Sequence, residues 1–401
     1  MTASNHTQAW LSAGSTGDVF VYSIIRASSG DFKCFNTGSF HEIHSMKKRK
    51  NSGFFCLILL LEISIASLAC GGGDDDSSNL PPNRIGKSIN YVSNMPGIKV
   101  DTKKVREIIY PLFTVPAIIK KGENLSVKVD TGGLVPSNWS VTLTSIDGSP
   151  VTFSRTLNVI GISSGSSYWR TSSTIYEVLV DIPADILSAL YDITVSYNTS
   201  SGMISDTQPH SVCVVDEYNK DFSFVHLTDM HVGSPRNNLD STEVNEAGFW
   251  SPDKFRRWLY IQKTIREVNL LKPDFVVITG DIVFGQLNPL EYVYEYEEIY
   301  RVLKEFKVPV YIVPGNHDCY AQDAMITDGQ LYWTNYFGPR YFSFNYGPYA
   351  HFTGADSFDW DKSDRAGAEL LVKTWGGQIR EAQMSWIRSD LETNSYNRMP
   401  V

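Results

Sequence analysis

Residues 308–318 read V-P-V-Y-I-V-P-G-N-H-D, and this stretch decides the fold. Its apolar part, Val308–Val313, is rich in β-branched residues and predicts a buried strand. A proline and a glycine then turn the chain and place Asn316, His317 and Asp318 together after the strand. In open α/β sheets, the carboxyl ends of the strands are where ligands bind.

Two earlier segments have the same design. The apolar run at residues 222–227 (F-S-F-V-H-L) is followed by Asp229 and His231, and the run at residues 275–279 (F-V-V-I-T) is followed by Asp281. Helical spacing of apolar residues between the runs predicts βαβ units and hence parallel strands. The pattern therefore predicts three strands that present metal-type ligands at one edge of a sheet.

Further elements are predicted on either side of the third run. Apolar residues recur at helical spacing over residues 290–306, and a last helix is predicted over residues 378–391. Residues 341–344 and 351–356 are predicted to be short strands. Upstream, Ser251 followed by a proline predicts the start of the first helix of the α/β part.

Three short blocks, in order, resemble the first three motif blocks of the calcineurin-like metallophosphoesterase family. They are D-M-H at residues 229–231, G-D at 280–281 and G-N-H-D at 315–318. The resemblance extends from about residue 221 to the C-terminus, and it implies a calcineurin-like two-sheet β-sandwich flanked by helices. It also implies a hydrolase of phosphate mono- or diesters. Purple acid phosphatases have a tyrosine three residues after the bridging aspartate, where this chain has Phe284, so the general branch of the family is the better match.

The resemblance implies two divalent metal ions (manganese, iron or zinc) that activate a bound water as the hydroxide nucleophile. Asp281 matches the ligand that bridges the two metals. Asp229 and His231 match ligands of the first metal, and their i, i+2 spacing would let one extended backbone direct both side chains inward. Asn316 matches a ligand of the second metal.

The third block also implies the catalytic residues. His317 matches the general acid that protonates the leaving alkoxide, and Asp318 would orient its imidazole. The neighbouring Cys319 lacks a dedicated base and is not predicted to be a nucleophile. His226 and His351 lie inside apolar runs, which predicts structural roles for both.

Each predicted ligand also has a structural interpretation. Asp229 and Asp281 could cap the segments that follow them, and His231 could be a surface histidine of a loop. Asn316 could be a turn former, although a turn does not explain the His-Asp pair beside it. The three blocks together favour the metal site.

Composition narrows the class of protein. The chain has 401 residues, enough for two hydrophobic cores. Charged residues make up 20% of it and the net charge is −9, which argues against a nucleic-acid partner. The five cysteines form no C-x-x-C pair and predict no disulfide framework.

The N-terminal hundred residues predict export. Residues 1–45 show no sustained period and are interpreted as an unstructured upstream mis-start. Residues 46–69 combine a basic start (M-K-K-R-K) with a short apolar run, as in a secretory signal, and Cys70 follows it as in a bacterial lipobox. A transmembrane anchor is the rival interpretation, but the apolar run is short for the roughly 20 residues that a span needs. We expect Cys70 to carry a lipid that anchors an exported lipoprotein at the periplasmic or outer surface of a membrane.

The rest of the chain divides into three parts. Residues 70–100 begin G-G-G-D-D-D-S-S-N and predict a flexible tether. Residues 101–217 contain short alternating strands separated by turn residues, which predicts an all-β, antiparallel, immunoglobulin-like sandwich. Residues 218–401 form the predicted metallophosphoesterase domain.

Two further expectations concern function and completeness. The rival function is a surface binding lipoprotein in which the phosphoesterase fold is a catalytically dead scaffold. Histidine blocks expected further along the family pattern are absent, and the final R-M-P-V (residues 398–401) resembles the start of another core strand. We therefore expect the chain to be C-terminally truncated, with its metal ligands incomplete.

Overall fold

The computed structural model describes residues 23–28, 31–32, 103–146, 152–232, 259–283, 289–319, 328–365 and 377–396. The predicted signal, the predicted lipidation site at Cys70, the predicted tether, the predicted helix start at Ser251, and Phe284 lie outside these ranges. Within the described ranges, none of the helices is both long enough and apolar enough to cross a lipid bilayer.

The first described elements are two short strands and then the predicted all-β unit. The two short strands are β1 (Ser23–Ser28) and β2 (Asp31–Phe32). The strands of the all-β unit are β3 (Ile108–Tyr110), β4 (Ala117–Lys120), β5 (Asn124–Asp130), β6 (Ser137–Ser145), β7 (Ser154–Ser164), β8 (Ile175–Asp181), β9 (Ala189–Thr199) and β10 (Gly202–Val215).

These eight strands form one curled sheet in the order β3-β5-β8-β7-β6-β9-β10-β4. Strand β7 pairs with both β6 and β8, and its register with β8 shifts between Val159 and Gly161. Alternate side chains face one core, where Val127, Val178 and Ile193 are fully buried. The pairing is antiparallel as predicted, with one exception. Strands β4 and β10 pair in parallel, which is possible because no tight turn joins them.

The second part alternates strands and helices. Its strands are β11 (Phe222–Leu227), β12 (Phe275–Thr279), β13 (Val310–Val313), β14 (Phe342–Tyr346) and β15 (Ala350–Gly354). Its helices are α1 (Leu259–Leu271), α2 (Pro289–Leu303), α3 (Asn316–Cys319), α4 (Gly329–Tyr336), α5 (Lys362–Arg365) and α6 (Glu381–Tyr396).

The parallel strands β11, β12 and β13 lie between a helical layer and a second sheet. On one face, α1 buries Ile261, Ile265 and Val268 at helical spacing in a core shared with α2 and α4. On the other face, the β14–β15 hairpin packs against the sheet, and the ring of Phe344 stacks on that of Tyr311. The mixed α/β fold with two sheets and flanking helices confirms the predicted fold class.

Strand β1 corrects the expectation that residues 1–45 carry no structure. It pairs antiparallel with β11, from Ser23 opposite His226 to Ala27 opposite Phe222, and extends the sheet to the order β13-β12-β11-β1-β2. A strand at the edge of a sheet presents unpaired N–H and C=O groups, and any extended segment can pair with them. Short β-branched runs such as S-I-I-R-A-S suit this role without a long periodic pattern.

Two elements start later in the chain than predicted. Strand β13 begins at Val310 instead of Val308. The Pro309 carbonyl, just before the strand, accepts a hydrogen bond from the Val276 N–H at 2.9 Å. Helix α6 begins at Glu381 instead of residue 378, because Gln378 is paired with Phe358 in a parallel bridge.

The all-β unit is joined to the α/β part through the outer edge of β13. The Ile312 N–H donates to the Thr114 carbonyl at 3.1 Å, and the Tyr311 hydroxyl donates to the Pro116 carbonyl at 3.0 Å. The Thr114 hydroxyl donates to the Phe337 carbonyl. The segment between β3 and β4 of the sandwich therefore also covers a sheet edge of the second domain.

Lys104 fastens the start of the folded chain to the helical layer. Its ammonium group lies 2.9 Å from the Glu297 carboxylate and over the rings of Tyr300 and Tyr336, at 5.1 and 5.4 Å from their centroids. The backbone N–H groups of Lys104 and its neighbour donate to the Asn335 carbonyl at 3.2 and 3.1 Å. These contacts attach residue 104 to α2 and α4 directly, not through the sandwich.

Candidate metal centre

The three predicted blocks meet at the carboxyl edge of the parallel strands. In the register of the sheet, Leu227 lies beside Ile278, and Thr279 lies beside Val313. The loops that follow these strands therefore leave the sheet at the same edge. The structure thus brings the three blocks together, as the sequence predicts.

His231, Asp281 and His317 form the centre of this site. The Nε2 atom of His231 lies 3.3 Å from an oxygen of Asp281, and the rings of His231 and His317 are 4.6 Å apart between centroids. One ligand atom from each of the three residues lies within 4.8 Å of the other two. The imidazole of His231 and the carboxylate of Asp281 are donors that suit zinc, iron or manganese, and the second imidazole lies beside them.

Asp229 and Asn316 flank this group. Asp229 lies close enough for the charges of Asp281, His231 and His317 to act on its carboxyl group. Asn316 is the first residue of α3 and directly precedes His317. The residues present therefore fit a metal centre, and their position is consistent with the predicted ligand set.

The backbone at three of these residues is left-handed. The φ angles are 54° at Asp229, 42° at His231 and 51° at Asp281. The explanation that one extended backbone directs Asp229 and His231 inward is therefore wrong. Left-handed φ costs an L-residue about 1–2 kcal/mol, and it persists only where the surroundings enforce it.

Backbone hydrogen bonds between the loop after β11 (the first loop) and the loop after β12 (the second loop) enforce these conformations. The N–H groups of Asp229 and His231 donate to the carbonyls of Gly280 and Asp281 at 3.3 and 2.9 Å. The Val232 N–H continues this pairing at 2.9 Å to Ile282. The sheet pairing thus runs on past the strand ends and carries the ligand residues with it.

The second loop and the third loop, which follows β13, lie very close together. At two positions there is no room for any side chain. A Cβ atom on Gly280, where φ is +86°, would lie 2.4 Å from the backbone nitrogen of Gly315. A Cβ atom on Gly315 would lie 2.1 Å from an oxygen of Asp281. Both glycines are therefore needed for the position of the Asp281 carboxylate.

Hydrogen bonds from backbone amides hold the two buried carboxylates. One oxygen of Asp281 accepts the His317 N–H at 3.1 Å. The two oxygens of Asp318 accept the N–H groups of Val283 at 3.1 Å and Gly315 at 2.8 Å. Asp318 thus ties the second loop to the third, and its predicted role in orienting the His317 imidazole stays a prediction.

Like charges gathered in a buried site shift the pKa values of these groups. Burial, together with the charge of Asp281, raises the pKa of both Asp229 and Asp318. Burial alone would raise the pKa of Asp281, but the His231 hydrogen bond and the nearby histidine charges hold it below its ordinary value. Burial alone would lower the pKa of His231, but Asp281 raises it. A cation would relieve the repulsion among these carboxylates.

Thr228 is a supporting residue that sequence reasoning missed. Its hydroxyl lies 2.7 Å from an oxygen of Asp229 and 3.3 Å from the Thr279 carbonyl. It therefore links the Asp229 side chain to the end of β12. A hydroxyl residue next to a candidate ligand is the sequence signal that could have identified it.

The histidines predicted to be structural are held by internal hydrogen bonds. The His226 ring lies 2.7 Å from the Thr279 hydroxyl. The His351 ring is buried and lies 2.6 Å from Asn345 and 2.8 Å from Asp390, which joins β15 to α6. These contacts confirm structural roles for both.

Cys319 is fully buried beneath the site, in agreement with the prediction that it is not a nucleophile. Burial raises the pKa of its thiol well above the usual range. Only the thiolate is strongly nucleophilic.

Similarity to known proteins supports the assignment of the second domain. Residues 222–394 match the family model described as calcineurin-like phosphoesterase. Over 95 residues, the chain is 32% identical to the DNA double-strand break repair protein Mre11 of Methanococcus maripaludis and 33% identical to that of Methanocaldococcus jannaschii. Each alignment covers 24% of this chain and 23% of the relative, so the chain matches about a quarter of the length of these proteins.

Matches among solved structures include a purple acid phosphatase, PPD1, from yellow lupin. That match has 11% identity, a TM-score of 0.27, and covers 65% of this chain and 47% of the other. The titin M3 domain matches with 15% identity and a TM-score of 0.15, over 25% of this chain and 86% of the other.

The family model spans the three blocks and the site they form. The family implies divalent metal ions and phosphate-ester substrates. Residues 222–394 therefore match the calcineurin-like phosphoesterase family, whose members are metal-dependent hydrolases of phosphate esters.

Proposed function

We propose that this chain hydrolyses phosphate mono- or diesters at a two-metal centre on the carboxyl edge of β11–β13. The observation that carries the proposal is the convergence of His231, Asp281 and His317 within 4.8 Å of one another. Their loops hold strained backbone conformations, which proteins tend to keep at functional sites.

The proposed metal ligands divide between two ions. Asp281 would be shared by the two ions, Asp229 and His231 would hold the first, and Asn316 would hold the second through its amide oxygen. When bound, the metals supply a nucleophile at neutral pH and offset the charge that builds on the phosphoryl oxygens. The interlocked loops hold these side chains in position before substrate arrives.

His317 is the proposed proton donor. Its backbone N–H donates to Asp281, and the adjacent Asp318 accepts N–H groups from Val283 in the second loop and from Gly315 in its own loop. Its ring lies beside His231, at the open edge of the sheet. An imidazolium there can protonate the leaving oxygen as the ester bond breaks.

Turnover of p-nitrophenyl phosphate and of its bis ester tests the proposal. The protein should be assayed after chelation and after addition of manganese, iron or zinc separately. Metal-dependent hydrolysis of either ester is expected. Absence of turnover with every metal would contradict the proposal and favour a binding protein with an inactive scaffold.

His317→Ala should lower kcat by about 10²–10⁴-fold, the usual contribution of a general acid. Its metal content should stay close to that of the unchanged protein, since the residue moves a proton and is not a proposed ligand. Steady-state kinetics and metal analysis by mass spectrometry check both parts. A variant that loses metal together with activity would show that His317 is a ligand instead.

We also propose that Cys70 carries a lipid anchor, with the protein exposed on the periplasmic or outer side of a membrane. Expressed in a bacterium that processes lipoproteins, the Cys70→Ser variant should leave the membrane fraction. Cys56→Ser, in the same leader, is the matched control and should remain in that fraction. A Cys70→Ser protein that stays membrane-bound with residues 46–69 attached would favour the transmembrane interpretation.

A further inference from the structure

Three aromatic side chains form a cluster at the junction of the two domains, named here the aromatic shelf: Tyr168, Tyr341 and Trp386. The ring centroid of Tyr168 lies 4.9 Å from that of Trp386 and 5.4 Å from that of Tyr341. Tyr341 and Trp386 are 5.0 Å apart. The sandwich supplies the first ring and the phosphoesterase domain supplies the other two.

The outermost ring of the shelf is exposed and held in one orientation. Tyr168 is 45% exposed, although rings of this size usually bury most of their surface. Its hydroxyl donates to the Tyr341 carbonyl at 2.6 Å, which fixes the direction of the ring. An aromatic ring that is already ordered loses little entropy when a ligand stacks on it.

The loop that carries Tyr168 is fastened on both sides. The Arg170 guanidinium donates to the Arg106 carbonyl at 2.8 Å and lies 3.1 Å from Asp130. The Lys128 ammonium donates to the Ser166 carbonyl at 3.2 Å. The sandwich therefore presents Tyr168 on a braced loop, not on a free one.

The shelf lies beside the second sheet, β14–β15, at the end that packs against the carboxyl end of β13. Tyr341 directly precedes Phe342, which pairs with Gly354 at the end of the hairpin. A Cβ atom on Gly354 would lie 2.8 Å from the side chain of Val313, the last residue of β13. Asn316 follows Val313 by three residues. The shelf and the loop that carries Asn316 therefore lie at the same end of the second domain.

A second connection runs through the charged residues beside the shelf. Arg340, which precedes Tyr341, is paired with the buried Asp356 and lies 3.0 Å from Asp359. The charges of Asp356 and Arg340 also act on the Cys319 thiol, which lies in the same helical turn as His317. The shelf is thus connected to the metal loop by adjacent packed groups.

The chemistry of the shelf selects one class of ligand. A half-exposed tyrosine beside two further rings attracts flat π systems, and stacking of a base on an aromatic ring contributes about 5- to 150-fold in affinity. A saturated ring or an open chain gains less from such a face. Because the neighbouring site takes phosphate esters under the proposed function, the two together suit an ester that carries a planar group.

We infer that the shelf binds the organic part of the substrate, and that the preferred substrates are phosphate esters with a planar aromatic group, either aryl or nucleobase. This inference rests on the proposed function and adds the substrate class to it. It also gives the β-sandwich a role in specificity through Tyr168.

Matched pairs of competing esters test the inference. Inhibition constants are measured against turnover of p-nitrophenyl phosphate by the full chain. Phenyl phosphate is compared with cyclohexyl phosphate, and adenosine 5′-monophosphate with ribose 5-phosphate. In one pair or both, the aromatic member should bind at least about fivefold more tightly, and the pair that shows this preference identifies the source of the planar group.

Three variants assign any preference to the shelf. In Tyr168→Ala, the inhibition constants of the two members of the preferred pair should differ by no more than about twofold. The inhibition constant of the non-aromatic member should stay unchanged. Tyr168→Phe keeps the ring and should keep most of the preference. Met203→Ala removes another exposed side chain of the sandwich, 73% exposed, and should change neither constant. Thermal melting of Tyr168→Ala shows whether the domain junction is intact.

The outcomes separate the two proposals. Equal constants within both pairs, with turnover present, overturn the inference and leave the phosphoesterase activity standing. A preference that survives Tyr168→Ala also overturns it, as does an equal loss of affinity for both members of a pair. A chain without turnover under any metal fails the proposed function itself, and the inference fails with it.

Discussion

Asp281→Asn should lower kcat/KM by about a thousandfold or more and should remove most of the bound metal. Asp281 contacts the His231 ring and also accepts the His317 N–H. A neutral amide can neither bridge two cations nor offset their charge. Several kcal/mol of transition-state stabilisation depend on the metals, and each 1.36 kcal/mol is tenfold in rate.

The matched control for this change is Asp361→Asn. The Asp361 side chain is 63% exposed and pairs with Arg380 in the same domain. Its loss should leave kinetics and metal content unchanged. If Asp281→Asn retained its metal and more than a tenth of its activity, the bridging role would be wrong.

Gly280→Ala should destabilise the domain by about 2–4 kcal/mol and lower activity at least about a hundredfold. The added methyl would collide with the backbone of Gly315, and the residue would keep a left-handed φ of +86°. Relief requires the second and third loops to separate, which displaces the adjacent Asp281. A displacement of about 1 Å at a reacting centre can cost 10²-fold. Denaturant unfolding and steady-state kinetics measure the two effects.

Gly122→Ala separates backbone strain from crowding. Gly122 has a nearly identical φ of +80°, but a Cβ atom there would meet nothing within 4 Å. Its substitution should cost only about 1–2 kcal/mol and leave activity unchanged. Equal losses in the two variants would mean that crowding between the loops contributes nothing.

The sequence predicts the strands best where apolar runs are bounded by polar or turn residues. Strands β11 and β12 begin and end where their apolar runs do. Helix α6 begins later than predicted, because Gln378 pairs with Phe358, twenty residues earlier in the chain. Local propensity carries no information about such a partner. The pairing of β1 with β11 escaped prediction for the same reason.

At the site, the sequence identifies the residues but not the backbone that positions them. Asp and His tolerate positive φ better than most residues, yet nothing in D-M-H requires it. The left-handed turns at Asp229 and His231 depend on carbonyls of the Gly280–Asp281 loop, about fifty residues away. The shelf likewise depends on contacts between distant segments, since Tyr168 and Trp386 are neighbours only in the folded chain.

The attachment of Lys104 determines how a mechanical force would pass through the molecule. A pull on the chain N-terminal to this residue acts first on its contacts with Glu297 and Asn335, and so on α2 and α4. The sandwich shares this attachment point, since the Gln208 side chain of β10 donates to the Lys104 carbonyl at 2.9 Å. Tension applied at Lys104 would therefore be divided between the phosphoesterase domain and the sandwich, and these contacts would set the orientation of both relative to an anchoring surface.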